Sequence, residues 1–215
     1  MIPVLGFATL KRFDLADRLV KSIDHPVDHL VIVDNSGTGS YRPPKSTFVK
    51  NTWVLPMPYG LGLVGAWNLI IKATPYVPYW VLINDDAWFE LGALAKICDE
   101  ADPATISFPN IIPHWSCPIF GEQVVNKVGL YDERFYPLYF DDNDLERRIR
   151  NAGFEPKWID AKVHHENSST LKSGFEMANG RTYDKNQALY NQKIATDDFS
   201  EGSWSLQIRR DNRWD

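Results

Sequence analysis

Cysteine is scarce in this chain: its 215 residues hold only Cys98 and Cys117. Two cysteines are too few for a disulfide framework, and their spacing is not that of a metal site. The expectation is a pair of small buried thiols in a reducing, cytoplasmic compartment. Long apolar runs are lacking too. No stretch approaches the roughly 20 apolar residues that span a bilayer, so no transmembrane segment is expected. The amino terminus enters the strand-like run Ile2-Pro3-Val4-Leu5-Gly6-Phe7-Ala8 without the basic region of a secretory signal. Basic charge is not in excess either: 23 Lys and Arg face 28 Asp and Glu. Duplex recognition normally needs a basic patch, so a nucleic-acid polymer is not an expected partner. No Gly-x-Gly-x-x-Gly follows the first strand, and Gly-x-x-x-x-Gly-Lys-Ser/Thr is missing throughout. Hydride transfer on a dinucleotide scaffold and P-loop phosphoryl transfer both lose their main support.

What is present starts with Tyr79-Trp80-Val81-Leu82-Ile83-Asn84-Asp85-Asp86, an apolar run that ends in two adjacent carboxylates. Such a run reads as a strand buried on both faces of a parallel sheet. Ligands of open α/β sheets bind beyond the carboxyl ends of the strands. Two aspartates placed there are poised to hold a divalent cation and, through it, a phosphate. With 44% hydrophobic and 24% charged residues, the chain has the composition of one globular domain able to bury a core.

Strand-like and helix-like patterns alternate through the first half. Strands are expected at 2–8, 29–33, 48–55 and around Trp80, with a short one at 106–108. Helices are expected at 14–23, 64–73 and 91–100. This alternation implies βαβ units and an α/β, Rossmann-like, mostly parallel central sheet flanked by helices. In the second half a strand is expected at 116–120 and a helix at 122–128. A convincing helix at 142–152 stops at Gly153, and extended pieces follow at 155–159 and 162–164. Beyond Glu166 the chain turns polar, with one helix expected at 183–194. The last dozen residues read as a loosely held tail or a strand lent to a partner copy. A homo-oligomer through a C-terminal extension, about 171–215, is thus one expectation. The whole of 1–215 reads as a single domain, with a nucleotide-binding half to about 110 and an acceptor half at about 111–170.

Three strand ends carry polar groups: Thr9, Asp34 and Asp85-Asp86. In a parallel sheet they converge on one edge, where a nucleotide lies. Taken alone, Asp34-Asn35-Ser36-Gly37 is a turn and Asn84-Asp85-Asp86 a helix cap; their succession favours a site. Asp141-Asp142-Asn143-Asp144 suits a helix N-terminus, and Asp144 can pair with Arg147 or Arg148. The apolar approach Tyr136-Pro137-Leu138-Tyr139-Phe140 sets Asp142 at the rim of a partly desolvated cleft, where a carboxylate is a better base. His164 and His165 follow a strand-like Ala161-Lys162-Val163, so only one of them should face a given site. A metal ligand and an exposed histidine are both open readings of that pair. Gly60-Leu61-Gly62 before a helix is, by itself, a weak phosphate signal.

Together these segments resemble the inverting family 2 glycosyltransferases of the GT-A fold, particularly the rhamnosyltransferase-like branch, over about Val4 to Thr170. Val31-Ile32-Val33-Asp34-Asn35-Ser36-Gly37 is similar to the family's "VVDNGS" segment, and Gly60 to Asn68 to its Gly-rich stretch. Leu82 to Asp86 matches the position of its DxD-like motif. Val128 to Phe135 is similar to "GGFDExF", and Phe140 to Arg148 to "EDxDLxxR". The resemblance implies a nucleoside contact through Asp34, a metal ligand at Asp86 and a catalytic base at Asp142. Two departures stand out: Asp141 replaces the family's glutamate, and the motif at Asn84 lacks a leading aspartate.

The chain therefore reads as a metal-dependent inverting, hexosyltransferase-like enzyme that uses a nucleotide-sugar donor and an acceptor of unstated kind. Thr9, Arg12, Asp34, Asn68 and Asp85 are the nucleotide-side candidates. Asp86 with His165, and then His164, are the metal-side candidates, His165 fitting an "A-x-V-x-H" pattern and His164 an "H-x-E" pattern. Oxygen ligands with one imidazole favour Mn²⁺ over Mg²⁺. Trp115 and the 135–139 segment are candidate acceptor walls. The rival readings are a nucleotidyltransferase, which should carry a Gly-rich basic loop after the first strand, and a sugar-binding module without catalysis.

Overall fold

The computed structural model describes residues 1–166 and 176–199, with 176–181 described as backbone alone. Eight strands form one sheet: β1 (Ile2–Thr9), β2 (Val27–Asp34), β3 (Val49–Pro56), β4 (Tyr79–Leu82), β5 (Ala87–Phe89), β6 (Ile106–Asn110), β7 (Ile119–Gly121) and β8 (Lys157–His165). Their order is β3-β2-β1-β4-β7-β6-β8-β5. The first four strands pair in parallel. Beyond β4 the sheet is mixed: β7 runs antiparallel to both β4 and β6, β8 is parallel to β6, and β5 is antiparallel to β8. A Rossmann-like half is thus joined along β4 and β7 to a mixed half.

Six helices flank the sheet: α1 (Phe13–Lys21), α2 (Gly62–Ala73), α3 (Ala93–Glu100), α4 (Glu122–Val128), α5 (Asp141–Asn151) and α6 (Glu176–Thr196). Strand alternation sends neighbouring side chains to opposite faces. Leu30, Ile32, Tyr79 and Val81 join α1 and α3 in one core layer, built around Leu19 and Ile97. Val31, Val33, Trp80 and Leu82 join α2, α4 and α5 in the other, with Trp67, Val125 and Leu145. Every residue of β4 is buried, so its polar continuation is rigidly placed.

Two local expectations are corrected. No helix is capped by Asn84-Asp85-Asp86, because the short strand β5 follows directly. The pieces expected at 155–159 and 162–164 are one strand, β8, whose outward face carries Asp160 and Lys162 while Ile159, Ala161 and Val163 are buried. Those outward polar residues made the strand look broken. Among the described residues, no helix is long and apolar enough to cross a membrane. The tail expected in the last dozen residues lies outside the described residues.

Candidate active site

Parallel pairing brings the polar strand ends together. Thr9 is in register with Asp34, and β1 also pairs with β4, whose chain runs on to Asp85 and Asp86. Thr9 is buried and its hydroxyl makes no hydrogen bond of ordinary geometry, yet it lies close enough to Asp85 to pull that carboxyl down. Burial works the other way on Asp85 and wins, with the neighbouring Asp86 charge adding to it, so the carboxyl is pushed up to about 7. Arg12, at the start of α1, is held by Asp14 at 2.7 Å and adds positive potential toward Asp85. Asp34 is wholly buried: Oδ1 accepts from the Ser36 amide at 3.0 Å and Oδ2 from the Tyr41 amide at 3.1 Å. Burial alone pushes its carboxyl up, but these hydrogen bonds outweigh that and hold it below the ordinary range.

The ladder between β5 and β8 separates the two histidines. Ala87 faces His165 and Trp88 faces His164. His165 Nε2 approaches Asp86 Oδ1 to 2.9 Å, both side chains being nearly buried, while its Nδ1 lies 3.2 Å from the Ile112 carbonyl. A backbone hydrogen bond from Glu166 to the Asp86 carbonyl locks the pair. His164 is placed elsewhere, stacked on the Trp88 ring at 5.1 Å with Nε2 3.1 Å from Glu90. Arg18 also lies over Trp88, at 3.8 Å. Among the described residues, no three His, Cys, Asp or Glu side chains gather around a common point. A cation here would have two protein ligands, Asp86 and His165. Their 2.9 Å separation is close to ~3 Å, the edge of an octahedron with ligands at about 2.1 Å. Donor type and spacing fit a divalent ion that completes its shell with phosphate oxygens and water.

The approach to α5 is an unusual piece of backbone. Tyr139 and Phe140 take φ values of 80° and 65°, a left-handed conformation that costs a non-glycine residue of order 1–3 kcal/mol. The rest of the structure compensates. Asn186 on α6, wholly buried, donates to the Leu138 carbonyl at 2.8 Å, and Phe140 packs on Tyr183 and Tyr190. Lys193, also on α6, reaches Asp132 at 2.7 Å and Asp144 at 2.5 Å, both carboxylates being fully buried. Asp144 in turn holds Arg148 at 2.9 Å. The loop therefore delivers Asp141 and Asp142 from a fixed frame. Burial drives the Asp141 carboxyl up to about 7, helped by the adjacent Asp142 charge. Burial raises Asp142 as well, against a hydrogen bond from the Asn143 amide.

A cleft of about 150 Å³ lies in front of these carboxylates. Asn84, Trp115, Tyr131, Asp141 and Asp142 all line it, so the first residue of the motif after β4 shares one space with the acidic start of α5. A larger cavity, about 870 Å³, opens on the outer side of β8 between Glu90 and Trp158. It touches His165 but reaches neither the strand ends at Thr9 and Asp34 nor Asp142.

Several residues singled out in the sequence also hold the frame. Asn68 gives Nδ2 to the Tyr131 carbonyl and to Glu133, both at 2.9 Å, and takes the Tyr131 amide at 3.0 Å, bridging α2 to the 131–133 segment. Gly62 has a packing role: with φ at 72°, a Cβ there would stand 2.8 Å from the Pro137 carbonyl oxygen. Asn35, read as a turn residue, clamps the start of α2 through the Gly62 carbonyl and the Leu61 amide. Asn186 and Lys193 drew no attention in the sequence, because a long polar helix gives no periodic sign of which face is covered.

No family model and no curated protein matches this sequence. Solved structures do resemble it. S. aureus TarS 1-349 in complex with UDP-GlcNAc superposes with a TM-score of 0.58 at 11% identity, over 81% of this chain and 61% of that one. GalNAc-T7 with UDP, GalNAc and Mn²⁺ gives 0.59 at 9% identity, over 77% of this chain and 44% of that one. The longer S. aureus TarS structure gives 0.55 at 11% identity, over 78% of this chain and 37% of that one. This chain thus spans less than two thirds of each. At such identities the likeness is one of architecture, and the architecture is the GT-A type of α/β fold.

Proposed function

We propose that this chain is a metal-dependent inverting glycosyltransferase of the family 2, rhamnosyltransferase-like kind. It would move a hexosyl group from a nucleoside-diphosphate sugar to an acceptor hydroxyl. The observation that carries this reading is the shared cleft, in which Asn84 of the Asn-Asp-Asp motif faces the same space as Asp142. The neighbours with UDP, UDP-GlcNAc and Mn²⁺ in their sites support it by analogy of fold.

In this reading Thr9, Arg12 and Asp85 face the donor's nucleotide, and Asp34 and Asn68 shape its pocket through the loops they hold. Asp86 and His165 hold the cation, with Mn²⁺ preferred to Mg²⁺ for its tolerance of imidazole. His164 is left to Glu90 and Trp88. A divalent ion held by Asp86 and His165 would supply Lewis-acid charge to offset that of the diphosphate. Asp142 removes the proton of the acceptor hydroxyl, and that oxygen attacks the anomeric carbon opposite the leaving group. The carbon–oxygen bond to the diphosphate breaks with its electron pair, and a single displacement inverts configuration. Residues to about 110 form the donor half and about 111–170 the acceptor half, with α6 closing the same domain. A cytoplasmic place of work belongs to this reading, as the scarcity of cysteine suggests.

A thermal-shift panel of UDP-, GDP- and dTDP-sugars, with and without Mn²⁺, tests it. At about 100 times its dissociation constant, the true donor should add roughly 2.7 kcal/mol, and only with the metal present. No shift from any of them would sink the proposal.

A further inference from the structure

The outward face of β8 reads Trp158, Asp160, Lys162 and His164, three polar residues and one tryptophan. Trp158 is 59% exposed, which leaves much of its indole open to a ligand. It stands in register with the buried Phe108 of β6 and packs on it at 5.5 Å and on His114 at 5.4 Å. Trp115 extends the row, 5.9 Å from His114 and 5.0 Å from Phe108. The aromatic surface thus runs without a break from Trp115, in the cleft of Asp142, out to Trp158.

One face of α5 follows the same course. Asp142, Glu146 and Arg150 recur at four-residue intervals, about 6 Å apart along the helix axis, a step on the scale of one sugar unit. Glu146 and Arg150 join His114, Trp115 and Trp158 around a second cleft of about 110 Å³. Among the described residues, Glu146 accepts from Arg150 Nε and an Nη at one oxygen, Oε1, at 3.1 and 2.7 Å, so Oε2 can accept from a hydroxyl group and the guanidinium's other amino group can donate to one. An aromatic platform beside one carboxylate and one guanidinium has the chemistry that grips a pyranose: ring C–H groups on the indole, hydroxyls on the charges. The cleft is too small to swallow a whole ring, so the ring lies across its mouth against Trp158.

We infer that Trp158, Glu146 and Arg150 form an acceptor subsite for a second sugar unit, so that the acceptor is a carbohydrate chain rather than a lone monosaccharide. This rests on the glycosyltransferase reading above. The first unit sits by Trp115, with its hydroxyl at Asp142. The next is stacked on Trp158, and the chain continues toward the wide groove outside β8, which Trp158 also lines.

The test is calorimetric titration, with UDP and Mn²⁺ present, of maltotriose, cellotriose and chitotriose against their monosaccharides. At least one trisaccharide should bind about tenfold more tightly than its monosaccharide, the worth of one good stacking contact. Trp158→Ala should abolish that gain, Trp158→Phe should keep most of it, and Glu146→Gln should reduce it. UDP affinity should be equal in all four proteins. If no trisaccharide outbinds its monosaccharide, or if the gain survives Trp158→Ala, the subsite is refuted. A wild-type protein that binds no nucleoside diphosphate with Mn²⁺ would instead refute the enzymatic reading on which it rests.

Discussion

His165 Nε2 stands 2.9 Å from Asp86 Oδ1, a distance fixed by the antiparallel ladder that sets Ala87 opposite His165. The two atoms are far apart in sequence, one in the turn before β5 and the other at the end of β8. In the proposed site, replacing either side chain removes one of the two ligands that the described residues would offer a cation. Asp86→Ala and His165→Ala should each abolish Mn²⁺-dependent nucleotide binding, whereas His164→Ala should leave it within about twofold, since exposed ion pairs contribute only ~0–1 kcal/mol. Titration of UDP with and without Mn²⁺ decides the matter. A His164 variant as crippled as the His165 variant would reverse the assignment.

Asp142→Asn keeps the size and helix placement of the side chain and removes its basicity. Turnover should fall roughly 10²–10⁴-fold, with donor affinity nearly unchanged. A role in charging the helix N-terminus alone predicts the opposite pattern, retained activity and a loss of order 1 kcal/mol in stability. Transfer rate and melting temperature measured on one preparation separate the two.

Asp141 should leave a mark on stability against pH. Its carboxyl is pushed from the ordinary 3.8 up to about 7 by burial, so between those values the folded chain holds the proton more tightly than the unfolded one. Stability must then fall as pH rises through that window and level off above it. Asp141→Asn mimics the protonated form. It should match the wild type near pH 4 and exceed it at pH 8, by an amount on the order of 3 kcal/mol. Urea unfolding at both pH values checks the sign; a variant that is less stable at pH 8 would contradict it.

Much of the fold was legible because it rests on burial. The runs at β1, β2 and β4 are apolar enough to declare strands, and helix α4 was bounded correctly at Glu122 and Val128. The three-residue β5 was missed, since no periodicity develops over so short a length. Within the site, polarity at strand ends marked Thr9, Asp34 and Asp85, but sequence does not distinguish a side chain that meets ligand from one that holds a loop. Asp34 and Asn68 have the composition of ligand contacts, yet here Asp34 binds backbone amides and Asn68 binds the Tyr131 backbone and the Glu133 side chain. The partners of Asp34 lie in the loop that follows it, whereas Asn68 finds Tyr131, 63 residues away, a partner of which local patterning carries no trace.

Lys193 is the best place to test the frame behind Asp142. Its ammonium lies between two fully buried carboxylates, Asp132 and Asp144, and Lys193→Met leaves both with one cation fewer. Breaking a buried pair from one side costs about 3–5 kcal/mol, so the melting temperature should drop by many degrees. The double variant Lys193→Met with Asp144→Asn should recover part of that loss, because the charge left behind is gone. A loss below about 0.5 kcal/mol, the range of ordinary surface substitutions, would show that α6 is not anchored there.

The place of α6 in the chain has a consequence for how the protein is made. Synthesis runs from the amino terminus, and elements already made begin to fold before later ones emerge. All eight strands and the helix that bears Asp142 precede Asn186 and Lys193 in that order. Until those two residues leave the ribosome, the left-handed turn at Tyr139 and Phe140 lacks the contacts that α6 makes with it and with Asp144. A chain that stops short of α6 should therefore keep its sheet and lose the frame that fixes the approach to Asp141 and Asp142.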